Sequence, residues 1–151
     1  MNEVGLLLAS VFSAGTVLAL AGLGLLINEK AGVINLGAEG MMLCAALAGY
    51  AVCVHTGSPW LGFAAGMGAG AVLAGALGVL VIWLNTNQSA TGLALSLLGA
   101  GLSAFVGVPY AQQALTVRSQ FAIPVLSELP LVGKALFAQH PLVYASVALA
   151  L

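Results

Sequence analysis

Charged residues are scarce in this sequence. Lys and Arg number 3 and Asp and Glu number 4 among 151 residues, so charged side chains make up only 5% of the chain. A soluble domain carries roughly 25% charged residues, and this chain has too few to solvate a surface. The lack of basic residues also excludes a basic patch for nucleic acid. With 62% hydrophobic residues and a mean hydropathy of +1.14, the composition predicts an integral membrane protein without a soluble domain.

Cysteine and histidine are equally rare, with two of each. Cys44 and Cys53 lie half a turn out of phase in one predicted helix, so they cannot form a disulfide with each other. They also lack the neighbouring ligands of a metal site. His55 and His140 have no carboxylate at a useful spacing, and no segment has the spacing of a Walker A phosphate loop. We therefore predict no catalytic residue, no metal and no cofactor; any ATP hydrolysis would reside in a separate ATPase subunit.

Long apolar runs divide the chain into membrane-spanning segments. At 1.5 Å per residue, a helix of about 20 residues crosses the hydrocarbon core of a bilayer. The runs predict helices at about 4–27, 36–54, 59–84 and 90–108, a loop at 109–140 and a fifth helix at 141–151. The last run is about half a membrane long, so we expect the chain to be truncated there. The predicted fold is all-α: a polytopic helical membrane protein with four full transmembrane helices, the start of a fifth, and a longer extracytoplasmic loop.

The order of these helices places the loops on two sides of the membrane. Residues 28–34 and 85–89 share one side, whereas the N-terminus, residues 55–58 and residues 109–140 share the other. The N-terminal flank contains no Lys or Arg, which favours an extracytoplasmic N-terminus. The basic residues are too few for the positive-inside rule to decide the orientation of the whole chain.

A stripe of small residues marks the third predicted helix. Gly62, Gly66, Gly70, Ala74 and Gly78 recur at every fourth position inside an unbroken apolar run. This spacing places them on one helix face, where missing side chains allow a second backbone to approach. Helix association in lipid depends on such close packing. The stripe therefore predicts a membrane-spanning helix that packs tightly against protein.

Polar residues lie at the starts of the second and fourth predicted helices. Asn35 is an N-cap candidate for the second helix. Glu39, one turn later, is either an intramembrane carboxylate on a solute or proton path or a first-turn carboxylate stabilised by the helix dipole. Asn85, Asn87 and Gln88 either line a polar vestibule or form an ordinary turn.

Three stretches of the sequence carry a family resemblance. Residues 28–42 read NEKAGVINLGAEGMM, residues 87–95 read NQSATGLAL, and residues 126–133 read LSELPLVG. With these stretches the chain resembles the permease subunits of bacterial ABC importers of the simple-sugar, ribose and nucleoside class, which are related to the branched-chain amino acid permeases. The resemblance implies that residues 1–151 form the N-terminal half of a transmembrane permease domain. The motif positions that carry over as possible pathway residues are Asn35, Gly37, Glu39, Gly40, Asn87, Gln88, Gly92 and Ser96.

The resemblance also implies a function. It points to a permease subunit of an ATP-driven importer that moves nucleosides or simple sugars into the cytoplasm by alternating access, in the bacterial cell membrane. The implied partners are a second permease subunit, a cytoplasmic ABC ATPase and an extracytoplasmic solute-binding protein. Hydroxyl side chains in the predicted helices could contact a small polar solute or bond their own backbone: Ser13, Thr16, Thr91, Ser96 and Ser103. Two other classes stay open from the residues alone, namely a non-transporting membrane scaffold or assembly subunit and a passive channel.

Overall fold

The structure, a computed structural model, describes residues 3–113 as a succession of helices. The elements are α1 (Glu3–Lys30), α2 (Ala38–Thr56), α3 (Pro59–Gly78), a π-helical turn (Val79–Trp83), α4 (Gln88–Gly107) and a 3₁₀ turn (Val108–Tyr110). The part of the chain that the structure describes contains no strand. The prediction of an all-helical fold is therefore confirmed for these residues.

The chain divides into two compact units. Ile27–Val117 forms one unit, and helix α1 up to Leu26 belongs to the other. The candidate site lies within the first of these, which contains α2, α3 and α4.

The end of α1 is fixed by a glycine in the left-handed conformation. Gly32 has φ +81°, and its N–H donates to the Glu29 carbonyl at 2.9 Å while the Val33 N–H donates to the Asn28 carbonyl at 2.9 Å. These two bonds form a Schellman motif, which satisfies carbonyls that the helix end would otherwise leave unpaired. A Cβ on Gly32 would meet no atom within 4 Å, so glycine is required here for its backbone conformation and not for space.

Helix α2 packs directly on both α3 and α4. Close approaches pair Gly49 with Gly62 and Ala45 with Gly66, which makes α2 and α3 antiparallel. Along α4 the pairs run in the same direction as along α2, from Gly37 beside Gly92 to Leu47 beside Gly107, so these two helices are parallel. The three helices thus form an up-down-up arrangement in which the α1–α2 and α3–α4 connections share one end.

A small apolar cluster closes this shared end. Met41 of α2, Leu77 of α3 and Leu95 of α4 are buried together with Val81 from the π-helical turn. Burial elsewhere in the described helices is low: Val72, Trp83 and Phe105 are 71%, 80% and 81% exposed. A soluble protein rarely exposes a continuous apolar surface of this kind, whereas lipid tails accept it.

Three of the described helical segments are long and apolar enough to cross a membrane. They are Ala38–Thr56, Pro59–Trp83 and Gln88–Tyr110, with 19, 25 and 23 residues. Trp60 and Trp83 lie at opposite ends of the second of these segments and are both largely exposed, as expected for aromatic anchors at the two membrane interfaces.

The observed helix bounds differ from the predicted ones by a few residues. Helix α2 begins at Ala38 rather than near residue 36, because Asn35 forms a turn before the helix and Gly37 occupies the N-cap position. Helix α4 begins at Gln88 rather than near residue 90, because Asn87 caps it. Ser58 occupies the N-cap of α3 with Pro59 next to it, but its side chain makes no capping hydrogen bond. The predicted fifth helix and all but the first residues of the predicted loop lie outside the described residues.

The predicted third helix is also not α-helical throughout. After Gly78 it continues as a π-helical turn in which the Leu84 N–H donates to the Val79 carbonyl at 3.2 Å. Thr86 then donates to the Leu80 carbonyl from its hydroxyl, at 2.8 Å, and from its N–H, at 3.2 Å. A carbonyl freed by the change of register is thereby satisfied by a residue of the following connection.

Candidate functional site

Two of the stretches that carry the resemblance meet at one end of the three-helix unit. We call residues 31–37, which connect α1 to α2, the 31–37 segment. It lies against the first three turns of α4, and its contacts are made by Gln88, Gly92 and Ser96. Residues more than 50 positions apart in the sequence thus form one local structure.

Gln88 binds the backbone of the 31–37 segment with both ends of its amide. Its Oε1 accepts a hydrogen bond from the Ile34 N–H at 2.8 Å, and its Nε2 donates to the Gly32 carbonyl at 3.4 Å. The side chain is half-buried. Its amide therefore substitutes for a neighbouring peptide group and satisfies an irregular segment that has no helical partners.

Asn35 orders the turn into α2. Its Oδ1 accepts from the Gly37 N–H at 3.0 Å, which is the Asx-turn geometry that asparagine favours before a helix. Its Nδ2 faces the sulfur of Met41 at 3.8 Å. The Asn35 side chain thus bonds within the turn instead of capping the helix from the N-cap position.

Ser96 and Gly92 hold the last part of the segment. The Ser96 hydroxyl donates to the Leu36 carbonyl at 3.0 Å. A Cβ on Gly92 would lie 3.0 Å from the Leu36 nitrogen and 3.1 Å from the Gly37 nitrogen. Gly92 is therefore a point where the backbone of the segment lies directly on α4.

Gly40 and Gly99 continue this contact into the helices. A Cβ on Gly40 would lie 2.6 Å from the Ser96 Cα and the Leu95 carbonyl oxygen, and one on Gly99 would overlap the Gly40 backbone. The Cys44 thiol, one turn further along α2, lies 3.5 Å from the Gly99 carbonyl oxygen. The two parallel helices are consequently in backbone contact, and no larger residue fits between them.

The start of α4 has its own set of polar contacts. Asn87 caps the helix by accepting from the Ala90 N–H at 3.1 Å, and Thr91 donates to the Thr86 hydroxyl at 2.9 Å. Asn85 adopts a left-handed backbone conformation with φ +51°, which asparagine tolerates better than most residues. These bonds fix the α3–α4 connection beside the 31–37 segment.

The structure thus brings together six of the eight predicted motif residues, and it sets two apart. Asn35, Gly37, Gly40, Gln88, Gly92 and Ser96 belong to the contact between the 31–37 segment and α4. Glu39 lies in the first turn of α2 with an exposed side chain, and Asn87 caps α4 with its side chain also exposed. No group of three or more His, Cys, Asp or Glu suited to a metal ion occurs within residues 3–113.

Comparison with known proteins places this arrangement in a family. The profile of the branched-chain amino acid transport system permease component matches residues 7–151. The chain belongs to this permease family. The resemblance found in the sequence is therefore confirmed, and the family is one of transport permeases, not of enzymes.

Three curated relatives of this permease carry names from sugar and nucleoside transport. The chain is 50% identical over 137 residues to TsgC13 of Haloferax volcanii, provisionally named a glucose ABC transporter permease protein; the match covers 88% of this chain and 41% of that protein. It is 26% identical over 152 residues to the nucleoside ABC transporter permease NupC of Lactococcus lactis, covering 94% and 48%. It is 29% identical over 132 residues to the guanosine ABC transporter permease NupQ of Bacillus subtilis, covering 80% and 41%.

The permease chain spans less than half the length of these curated relatives. No solved structure matches it significantly. The family and the three membrane-length helices together identify the chain as part of a multi-pass protein of the cell membrane.

The predicted small-residue stripe of this permease faces α2 only along its first half. A Cβ on Gly62 would lie 2.7 Å from the Gly49 carbonyl oxygen, and one on Gly66 would lie 2.9 Å from the Ala45 carbonyl oxygen. Gly70 is at ordinary contact distance, with Ala45 Cβ 3.8 Å away, and a Cβ on Gly78 would meet nothing within 4 Å. Ala74 is exposed.

Two residues of the site were not among the predicted pathway or packing residues. Gly99 forms the closest approach between α2 and α4, and Thr86 closes the π-helical turn. Gly99, Ser103 and Gly107 recur at every fourth position of the fourth predicted helix, and this small-residue spacing does indicate a packing role for Gly99. No sequence pattern predicts the π-helical turn that Thr86 closes.

The opposite end of the unit is aromatic. His55 and Tyr110 stack at a tilt, with ring centroids 5.8 Å apart, and the Tyr50 hydroxyl donates to the Gln113 carbonyl. His55 Nδ1 lies 2.9 Å from the Ala51 carbonyl oxygen of its own helix. These contacts join the C-terminal ends of α2 and α4 and contain no acid–base or nucleophilic arrangement.

Proposed function

We propose that the chain is part of a membrane-spanning permease subunit of an ATP-driven ABC importer for simple sugars or nucleosides. The observation that carries the proposal is the match to the permease family over residues 7–151, together with relatives named for glucose, nucleoside and guanosine transport. The relative with 50% identity is named for glucose, which favours a sugar, whereas residues 126–133 resemble the nucleoside-type members of the family.

The proposed mechanism is alternating access. Backbone contacts along Gly40 and Gly99 and along Gly49 and Gly62 make α2, α3 and α4 a closely packed body. Packed bodies of this kind move as units by hinge or shear motion, since tightly interlocked contacts resist continuous deformation. A neutral, polar solute suits helices α2, α3 and α4, in which Glu39 is the only Asp, Glu, Lys or Arg.

The proposed subunit works with three partners in the membrane and at its surfaces. A second permease subunit completes the pathway, a cytoplasmic ABC ATPase supplies the energy, and an extracytoplasmic binding protein delivers the solute. We also propose that the subunit crosses the membrane four times in full before a fifth helix begins, with helix α1 as the first span. Lys30 lies at the end shared by the two inter-helix connections, and its charge favours a cytoplasmic location for that end.

Uptake into vesicles tests this function. The membrane protein that carries this sequence would be reconstituted with the ATPase and the binding protein, and uptake of labelled glucose and guanosine would be measured with and without ATP. We expect uptake against a gradient that requires ATP and both partners. Uptake down a gradient without ATP would instead identify a passive channel, and assembly with the partners but without any uptake would identify a scaffold subunit.

A further inference from the structure

We propose that Gln88 is a positioning residue for transport, because its amide fixes the 31–37 segment to α4 so that both move as one body. The resemblance made Gln88 a candidate for the solute pathway. The structure turns both ends of its amide toward backbone groups instead. The inference rests on the proposed function for the transport measurement below, and the hydrogen-exchange measurement is independent of that function.

The orientation of the Gln88 amide follows from its two partners. The Ile34 N–H can only donate, and the Gly32 carbonyl can only accept. The oxygen must therefore face Ile34 and the nitrogen must face Gly32, as observed at 2.8 and 3.4 Å. A flipped amide would place donor against donor and acceptor against acceptor. After these bonds form, the oxygen keeps one lone pair and the nitrogen one N–H, so any contact with solute would come from an amide whose orientation the segment already fixes.

The amide of Gln88 is also not needed for the helix on which it lies. Asn87 already caps α4 through the Ala90 N–H at 3.1 Å. The side chain of Gln88 therefore serves the 31–37 segment and not its own helix. Because a non-helical segment lacks helical partners for its backbone groups, this contact fixes where the segment lies.

A second attachment limits how the segment can move. Ser96, two turns further along α4, binds the Leu36 carbonyl at 3.0 Å, and Gly92 lies between the two attachments with the Leu36 backbone against it. The segment is thus held at both of its ends to one face of α4. Any movement of α4 during transport is transmitted to the start of α2 through these points.

Hydrogen exchange of the Ile34 amide tests the attachment in the assembled protein. Gln88→Leu removes both hydrogen bonds at similar side-chain volume, and Gln88→Asn keeps an amide that is one methylene too short for both partners. A hydrogen bond contributes about 1 kcal/mol, so we expect Ile34 to exchange about fivefold faster in either variant. Ser89→Ala, the exposed neighbour on the same turn, serves as control and leaves the exchange rate unchanged.

Transport kinetics separate positioning from solute contact. In Gln88→Leu we expect the maximal rate of ATP-dependent uptake to fall at least fivefold, with the apparent KM for solute changed less than twofold. An unchanged Ile34 exchange rate in both variants, or a raised KM with an unchanged maximal rate, would overturn the proposal. Absence of uptake by the unaltered protein would count against the proposed function alone, because the exchange result stands independently of transport.

Discussion

Replacing Gly99 by alanine should separate α2 from α4. A Cβ at this position would lie 2.5 Å from the Gly40 Cα, whereas ordinary contact begins at 3.4 Å. The two backbones must therefore move apart by about 0.9 Å locally, the difference between those distances. Gly101→Ala is the matched control, because it adds the same methyl group two residues later on α4, where nothing lies within 4 Å.

The expected change in the free energy of unfolding has opposite signs for the two variants. Moving packed surfaces roughly 0.5–1 Å apart loses about a quarter to a half of the attractive energy of each van der Waals contact. Overpacking as a whole costs about 1–3 kcal/mol. Alanine at an open helical position instead stabilises by about 0.5–1 kcal/mol relative to glycine. Gly99→Ala should therefore be less stable than Gly101→Ala by at least about 1.5 kcal/mol.

Thermal unfolding of the protein in detergent measures this difference. A change of 1.5 kcal/mol corresponds to about 3–6 °C in Tm for a domain of this size, with Gly101→Ala above the unaltered protein and Gly99→Ala below it. Equal Tm values for the two variants, or a higher value for Gly99→Ala, would refute the backbone contact between α2 and α4.

Two further substitutions test other glycines by the same measurement of Tm. Gly32→Ala should destabilise the protein by about 1–2 kcal/mol, because φ +81° is unfavourable for a residue with a Cβ. Gly32→Asn should destabilise it less, because asparagine tolerates the left-handed conformation better than alanine. An unchanged Tm for Gly32→Ala would contradict the Schellman motif at the end of α1. Gly66→Ala should destabilise because its Cβ would lie 2.9 Å from the Ala45 carbonyl oxygen, whereas Gly68→Ala, with open space around it, should not. Equal Tm values for Gly66→Ala and Gly68→Ala would show that α2 does not contact α3 at Gly66.

The helices could be predicted from the sequence, and their exact starts could not. Apolar runs of membrane length and polar turns between them fix where each helix lies to within a few residues. The start of α2 differed because Asn35 can serve either as an N-cap or as the first residue of an Asx turn. Only the position of the Gly37 N–H, 3.0 Å from its side-chain oxygen, distinguishes the two.

Small-residue spacing predicted a face but not its partner. A spacing of four moves about 40° around a helix of 3.6 residues per turn at each repeat, so Gly66 stays near the face of Gly62 whereas Gly78 lies roughly 160° away. The close contact with α2 accordingly includes Gly62 and Gly66 and not Gly78. The register of α2 against α4 likewise depends on both helices, so it could not be predicted from the spacing along either one.

The candidate site was predicted as a set of positions and not as a contact. The motif stretches pointed to Gln88 and Ser96, but their partners Ile34 and Leu36 lie 54 and 60 positions away. Hydrogen bonds over such separations depend on the packing of whole helices, which no local pattern contains. For that reason the sequence left a role at the solute open for both residues, and in the structure their side chains bind backbone groups.

Helix α2 lies in direct contact with its neighbours through glycine, and both the packed three-helix body and the candidate site depend on this contact. The most direct measurement is disulfide formation between Ala45→Cys and Gly70→Cys in a protein lacking Cys44 and Cys53, because the two Cβ positions are 3.8 Å apart, the mean separation in a disulfide. We predict rapid cross-linking under mild oxidation for this pair and none for Ala45→Cys with Gly68→Cys. Absence of the first cross-link in folded protein, or equal yields for the two pairs, would contradict the direct contact of α2 with α3.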